Sequence, residues 1–145
     1  MNNYEIEVIL VEDNPEDAEL AIRALKQHHL ANKLIHLKDG AEALDFIYGS
    51  GAYAGNGIKN NPKVIFLDLK MPKVGGIEVL KRIKSDPMTK TIPVVILTSS
   101  GEDPDIEKCY ELGASSYIVK PVEFDTFAKT VVELGLYWLL LNRLP

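Results

Sequence analysis

Three apolar tetrads constrain this chain more than any other feature of its sequence: Val8-Ile9-Leu10-Val11, Val64-Ile65-Phe66-Leu67 and Val94-Val95-Ile96-Leu97. A strand with one wet face alternates polar and apolar residues, whereas a strand covered on both faces has no reason to. Continuous runs rich in β-branched residues therefore predict a parallel sheet with helices on each side. Leu34-Ile35-His36-Leu37 and Tyr117-Ile118-Val119 are shorter or more mixed, as strands nearer an edge should be. Stretches of helical period are expected between them, over Glu16–Gln27, Ala41–Tyr48, Gly76–Lys84, Asp105–Leu112 and Phe124–Leu141. The first carries Ala18, Ala21, Ile22 and Leu25 on one side. Asn14-Pro15 reads as its N-cap and first helical residue, with Glu16 and Asp17 suiting the positive helix end. Five β–α repeats in strict alternation specify an α/β domain: a doubly wound five-stranded parallel sheet flanked by five helices, with right-handed crossovers.

A chain of 145 residues is one domain's worth and can bury a self-sufficient core. Its formal charge of −5 would repel a phosphate backbone, which argues against a nucleic-acid binder. Hydrophobic residues at 46% and charged residues at 26% exclude disorder. The longest apolar run, Leu136 to Leu141, is too short to span a bilayer, and no secretory signal opens the chain. The single cysteine, Cys109, cannot form an internal disulfide. These features predict a soluble cytoplasmic protein without membrane or nucleic-acid partners. One stretch is irregular: Gly49 to Lys63, with glycines at 49, 51, 55 and 57, predicts a long surface loop of the kind that is usually functional or mobile.

In an open parallel sheet, ligands collect at the carboxyl ends of the strands. Here the first strand ends in Glu12-Asp13, the third in Asp68, the fourth in Thr98-Ser99-Ser100 and the fifth in Lys120-Pro121. Any one of these alone reads as a helix cap or a solvated charge. Together they converge three carboxylates, a hydroxyl and an ammonium on one patch. Carboxylates so placed repel one another and call for a bound cation or a raised pKa. Hard oxygen ligands suit Mg²⁺, and Lys120 and Thr98 would supply donors to an anion beside it. The chemistry implied is phosphoryl transfer to a carboxylate.

With those residues in place, the chain resembles a response-regulator receiver domain of two-component signalling, similar to the chemotaxis response regulator. The resemblance rests on Ile9-Leu10-Val11-Glu12-Asp13-Asn14, on Phe66-Leu67-Asp68-Leu69-Lys70-Met71-Pro72 with Gly75-Gly76, on Val95-Ile96-Leu97-Thr98-Ser99, and on Gly113-Ala114 with Tyr117-Ile118-Val119-Lys120-Pro121. It implies the flavodoxin-like receiver fold, with Asp68 as phosphoacceptor for a histidine kinase phosphohistidine. It further implies Mg²⁺ on Asp13 and Asp68, with Glu12 assisting and the carbonyl of Lys70 as a ligand. Lys120 and Thr98 would contact the phosphoryl group, and Tyr117 would change rotamer as Thr98 moves, carrying the event to the surface of the fourth helix, fifth strand and fifth helix. Lys120–Pro121 is expected to be cis. The Gly49–Lys63 loop and Tyr137-Trp138-Leu139-Leu140 resemble the single-domain regulators paired with bacterial phytochromes, which points to a phytochrome-like sensor kinase as partner.

A chain ending soon after its fifth helix implies a single receiver domain over 1–145, without an output domain, that is not an enzyme and signals to an unknown downstream protein by contact. Val132, Leu136, Leu139 and Leu140 fall off the stripe that docks the last helix, so a homodimer through that helix is expected. Lys70 and Ser100 stand two positions after the phosphoacceptor and the hydroxyl residue. An ammonium lying over the phosphoryl group and a short hydroxyl should slow its hydrolysis. His28, His29 and His36 read as structural, Cys109 as a packing residue, and Gly75-Gly76 as serving backbone geometry. The rivals are an aspartyl-phosphate phosphohydrolase of haloacid dehalogenase type, whose second Asp would stand where Lys70 does, and a flavodoxin-like nucleotide binder, whose phosphate loop Glu12-Asp13-Asn14-Pro15-Glu16-Asp17 would reject.

Overall fold

The computed structural model describes residues 6–27, 33–55 and 62–133. Along them run Val8–Val11 (β1), Pro15–Gln27 (α1), Leu34–Leu37 (β2), Gly40–Tyr48 (α2), Val64–Asp68 (β3), Gly76–Ser85 (α3), Val94–Thr98 (β4), Asp105–Glu111 (α4), Ser116–Val119 (β5) and Phe124–Glu133 (α5). The strands form one parallel sheet in the order β2-β1-β3-β4-β5. The chain reverses its winding direction beside β1, so the ends of β1 and β3 flank the crevice where such sheets hold ligands.

Alternation along each strand divides the core in two. Val8 and Leu10 face one side with Val64, Phe66, Val95 and Leu97, against Ala18, Ala21, Ala24 and Leu25 of α1. Ile9 and Val11 face the other with Ile65, Leu67, Val94 and Ile96, against Ala43 and Phe46 of α2 and Val79, Leu80 and Ile83 of α3. All of β1, β3 and β4 is buried, as their unbroken apolar runs require, while β2 and β5 are the half-exposed edges. On α1 the stripe is shifted slightly from expectation. Ala24 is fully buried and Ile22 only partly so, because three alanines let the helix axis lie close to the sheet. Asn14 caps α1 as expected, its Oδ1 accepting the Asp17 N–H at 2.9 Å.

The Asp39 side chain caps α2 by accepting the Glu42 N–H at 2.8 Å. A single 3₁₀ turn, Gly51–Tyr53, follows α2 and is tied back to it: the Tyr53 hydroxyl donates to Glu42 at 3.1 Å and its ring meets Phe46 edge to face. Lys120–Pro121 is cis, as expected. Cys109 is buried, with its thiol pushed up to about 11 by burial and by Asp105 and Asp103, so it packs and does not react. Among the described residues no helix is long and apolar enough to cross a membrane. His28, His29, positions 56–61 of the Gly49–Lys63 loop, and the last-helix residues Leu136, Trp138, Leu139, Leu140 and Leu141 lie outside the described residues.

The two adjacent glycines before α3 differ in what they do. A Cβ on Gly76 would stand 2.4 Å from the carbonyl oxygen of Asp68, whereas one on Gly75 would meet nothing within 4 Å. Gly75 is the N-cap of α3 with φ −74°, ψ 166°, ordinary for any residue. The same substitution should therefore have opposite results at the two positions. In urea melts Gly75→Ser should match or slightly exceed the parent, and Gly76→Ser should lose about 1–3 kcal/mol by overpacking.

Candidate functional site

Three strand exits carry the acidic and basic side chains to one point. Where β1 ends, Glu12 is almost wholly buried and Asp13 is exposed beside it. Asp68 closes β3 with 2% of its surface exposed. Lys120 follows β5, and its backbone N–H donates to the Thr98 carbonyl at 2.6 Å, which ties the last two strand ends together. The structure brings together every one of Glu12, Asp13, Asp68 and Lys120. One oxygen from each of Glu12, Asp13 and Asp68 lies within 4.8 Å of the others.

The Lys120 ammonium sits at the centre of the acids. It is 3.2 Å from Asp68 Oδ1, 3.3 Å from Glu12 Oε1 and 3.2 Å from Asp17 Oδ2. Burial alone would lower its pKa, but Asp68, Glu12 and Asp17 outweigh that and hold it above the usual lysine value. Asp17 was legible only as a charge favourable to the helix end; its bond to Lys120 is an addition that no local pattern signals. The reason is positional: the first turn of α1 rises directly over the crevice.

Asp68 is left less well satisfied. Its Oδ2 is buried with no hydrogen-bond partner. Burial first, then the carboxylates of Asp13 and Glu12, push its pKa up to about 8 against the opposing pull of Lys120. A buried acceptor without a donor, facing two further carboxylates, is the environment that a small hard cation would relieve. The donor set is all oxygen, with no soft ligand, so it fits a divalent cation of the Mg²⁺ or Mn²⁺ kind.

The remaining expected residues are placed less centrally. Thr98 is buried at the end of β4, its hydroxyl 3.2 Å from the Ser100 carbonyl. Tyr117, on β5, is half-buried and packs edge to face on Tyr110 of α4, ring centroids 6.3 Å apart. Lys70 leaves β3 with its side chain exposed, and its ammonium lies 3.7 Å from Asp103 and 3.9 Å from Asp105. The side chain expected to lie over the reacting carboxylate is instead paired with Asp103, just before α4, and with Asp105, the first residue of that helix. Ser100 accepts the Glu102 N–H through its hydroxyl. Both side chains serve the β4–α4 connection in this state.

Comparison with known proteins agrees with this geometry. Residues 8–132 match the response regulator receiver domain family. The chain is similar to the probable methanogenesis regulatory protein FilR2 of Methanothrix harundinacea, 39% identical over 95% of this chain and 86% of that one. It is similar to response regulator Rcp1 of Synechocystis sp., 37% identical over 95% and 92% of the two chains. The Mn²⁺-bound structure of Rcp1 superposes with a TM-score of 0.74 over 96% of this chain and 99% of that one. The bacteriophytochrome response regulator RtBRR superposes with a TM-score of 0.85 at 46% identity, over 95% and 82%.

The raised pKa of Asp68 makes a stability prediction with a definite sign. Its carboxyl holds a proton in the folded chain at pH values where the unfolded chain has lost it, so the parent loses stability as pH rises from about 4 to about 8. Asp68→Asn removes that loss. Without metal, the variant should be more stable than the parent at pH 8, with the gap closing towards pH 4. Thermal melts across that range test it, and a gap independent of pH would contradict it.

Proposed function

The chain belongs to the response regulator receiver domain family, and from that premise we propose that Asp68 takes the phosphoryl group from the phosphohistidine of a sensor histidine kinase. The observation that carries this reading is the state of Asp68 itself: Oδ1 against the Lys120 ammonium, Oδ2 buried and without a partner, at the floor of an acidic crevice. In the transfer, a bond forms from an Asp68 oxygen to phosphorus as the bond from phosphorus to the imidazole nitrogen breaks. Lys120 stands where it can pair with the phosphoryl oxygens, and the Thr98 hydroxyl can give up its contact with the Ser100 carbonyl to donate to them. Asp13, Asp68, Glu12 and the Lys70 carbonyl would hold Mg²⁺, which when bound supplies the positive charge that favours ionised Asp68 and offsets charge on the phosphoryl group.

Phosphorylation adds a dianion to a site where Lys120 is already shared by three acids. Redistribution of that ammonium, together with movement of Thr98, would change the rotamer of Tyr117 and so its packing on Tyr110. The signal then reaches α4, β5 and α5, and is passed to a downstream protein by contact. The likeness to the bacteriophytochrome response regulator RtBRR supports a phytochrome-linked kinase. A homodimer through the last helix, a single domain over 1–145 and a cytoplasmic location complete the reading. The chain acts as a switch, with no catalysis beyond its own phosphorylation and dephosphorylation. The phosphohydrolase alternative is not favoured, because family membership covers 8–132 and Lys70 occupies the place of its second Asp.

Acetyl phosphate with Mg²⁺ should label the parent with a hydroxylamine-labile phosphate. Asp68→Asn should abolish the label, and Lys120→Ala should slow its formation by about 100-fold or more. Retention of the label in folded Asp68→Asn would assign the phosphate elsewhere. A second measurement concerns lifetime. Lys70→Asn/Ser100→Glu replaces an ammonium and a short hydroxyl by an amide and a carboxylate that can orient water, so its phosphoform should decay about tenfold faster than the parent's, a difference of roughly 1.4 kcal/mol. Equal or slower decay would remove the basis for a long-lived phosphoform.

A further inference from the structure

His36 lies on β2, and its Nε2 is 2.8 Å from the main-chain carbonyl oxygen of Glu12. A carbonyl only accepts, so Nε2 carries the proton that makes this bond, whether or not the other ring nitrogen is protonated. The position of the imidazole follows from the sheet. His36 pairs in register with Leu10, and alternation places both on the face covered by α1, beneath the connection that leads from β1 into that helix.

The Glu12 backbone has a particular need for such a donor. Its N–H donates to the Leu37 carbonyl at 3.0 Å, which extends the pairing with β2 one residue beyond the end of β1. In a parallel ladder the N–H and C=O of one residue point to the same neighbour, so the Glu12 carbonyl also faces β2. Strand β2 ends at Leu37, and the chain then enters the N-cap of α2 at Asp39. His36 supplies from within the strand the donor that stands at the end of the ladder. Both main-chain groups of Glu12 are thereby fixed to β2.

That fixation matters because the Glu12 side chain does several things at once. Its carboxylate is 3.3 Å from Lys120, it accepts the Asn14 N–H at 3.2 Å, and one of its oxygens lies in the three-acid cluster with Asp13 and Asp68. Mutual repulsion among these acids pushes the β1–α1 connection outward, and a side-chain bond from behind opposes that push. We propose that His36 is a positioning residue for the acidic crevice: the bond from its Nε2–H to the Glu12 carbonyl holds Glu12 and Asp13 where a divalent cation can bind them. The proposal rests on reading the crevice as a cation site.

The test uses the full chain with Mn²⁺ alone as probe, free Mn²⁺ being followed by electron paramagnetic resonance, and thermal melts run beside it. His36→Gln keeps a donor nitrogen at the reach of Nε2; His36→Asn, shorter by one methylene, keeps polarity and loses that reach. Support for a metal ligand's outer partners is commonly worth about 10–100-fold in affinity, and this bond acts one step further back, through the main chain. His36→Asn should bind Mn²⁺ about 10-fold more weakly than the parent, and His36→Gln within about threefold of it. Similar melting temperatures for the two variants would exclude general unfolding as the cause. Equal Mn²⁺ affinity for the parent and folded His36→Asn would overturn the role of His36 while leaving the crevice a cation site. Weak binding by His36→Gln equal to that of His36→Asn would also overturn it, since the donor would then not matter. A parent that does not bind Mn²⁺ would refute both readings.

Discussion

One ammonium holds the site together. Lys120 is placed between Asp68, Glu12 and Asp17, with Asp13 at the edge of the same group. Four carboxylates from the ends of two strands and the first turn of a helix would otherwise repel each other in a crevice sealed from below by the sheet. An isolated acid on a surface titrates near 4 and costs nothing; an acid at this position is forced towards neutrality, as Asp68 is. Every geometric feature of the fold near the site can be understood as keeping these groups close despite their charge. The Lys120 N–H bonds the Thr98 carbonyl, the Leu69 N–H bonds the Leu97 carbonyl, and both main-chain groups of Glu12 are fixed to β2.

Such a crowded site is a stored asymmetry. A small hard cation or a transferred phosphoryl group each changes the balance at Lys120, in opposite senses of charge. Burying charges at such close quarters costs free energy, and a ligand that changes the balance at Lys120 relieves part of that cost. Tyr117 on β5 packs edge to face on Tyr110 of α4, which joins the last strand to that helix.

Much of this was legible in the sequence, for reasons that can be named. Unbroken apolar runs gave away the three central strands because burial on both faces leaves no polar position, and the two mixed runs fell at the edges for the converse reason. Asp68, Glu12, Asp13 and Lys120 could be grouped because parallel strands deliver their carboxyl ends to one side. What the sequence hid depends on reach across the fold. The Asp17–Lys120 bond needs α1 to lie over β5's exit; the Lys70 contacts need the β4–α4 segment to come within 4 Å of a side chain from β3; and the His36 bond joins a strand side chain to a main-chain carbonyl, an acceptor with no residue signature. The difference between Gly75 and Gly76 was equally hidden, since only the approach of the Asp68 carbonyl distinguishes them.

The engagement of Lys70 with Asp103 and Asp105 has a consequence for how the crevice meets its ligands in solution. The Lys70 ammonium could draw anions towards the crevice, but Asp103 and Asp105 beside it offset its charge. The Lys120 ammonium is shared among the acids within. The metal-free crevice therefore presents a negative potential to any approaching phosphate, and at physiological ionic strength that potential extends for about 8 Å. Electrostatic guidance towards Asp68 is absent at long range and is replaced by repulsion, which added salt relieves. A phosphodonor approaching such a crevice would have to be held by attraction between surfaces away from it.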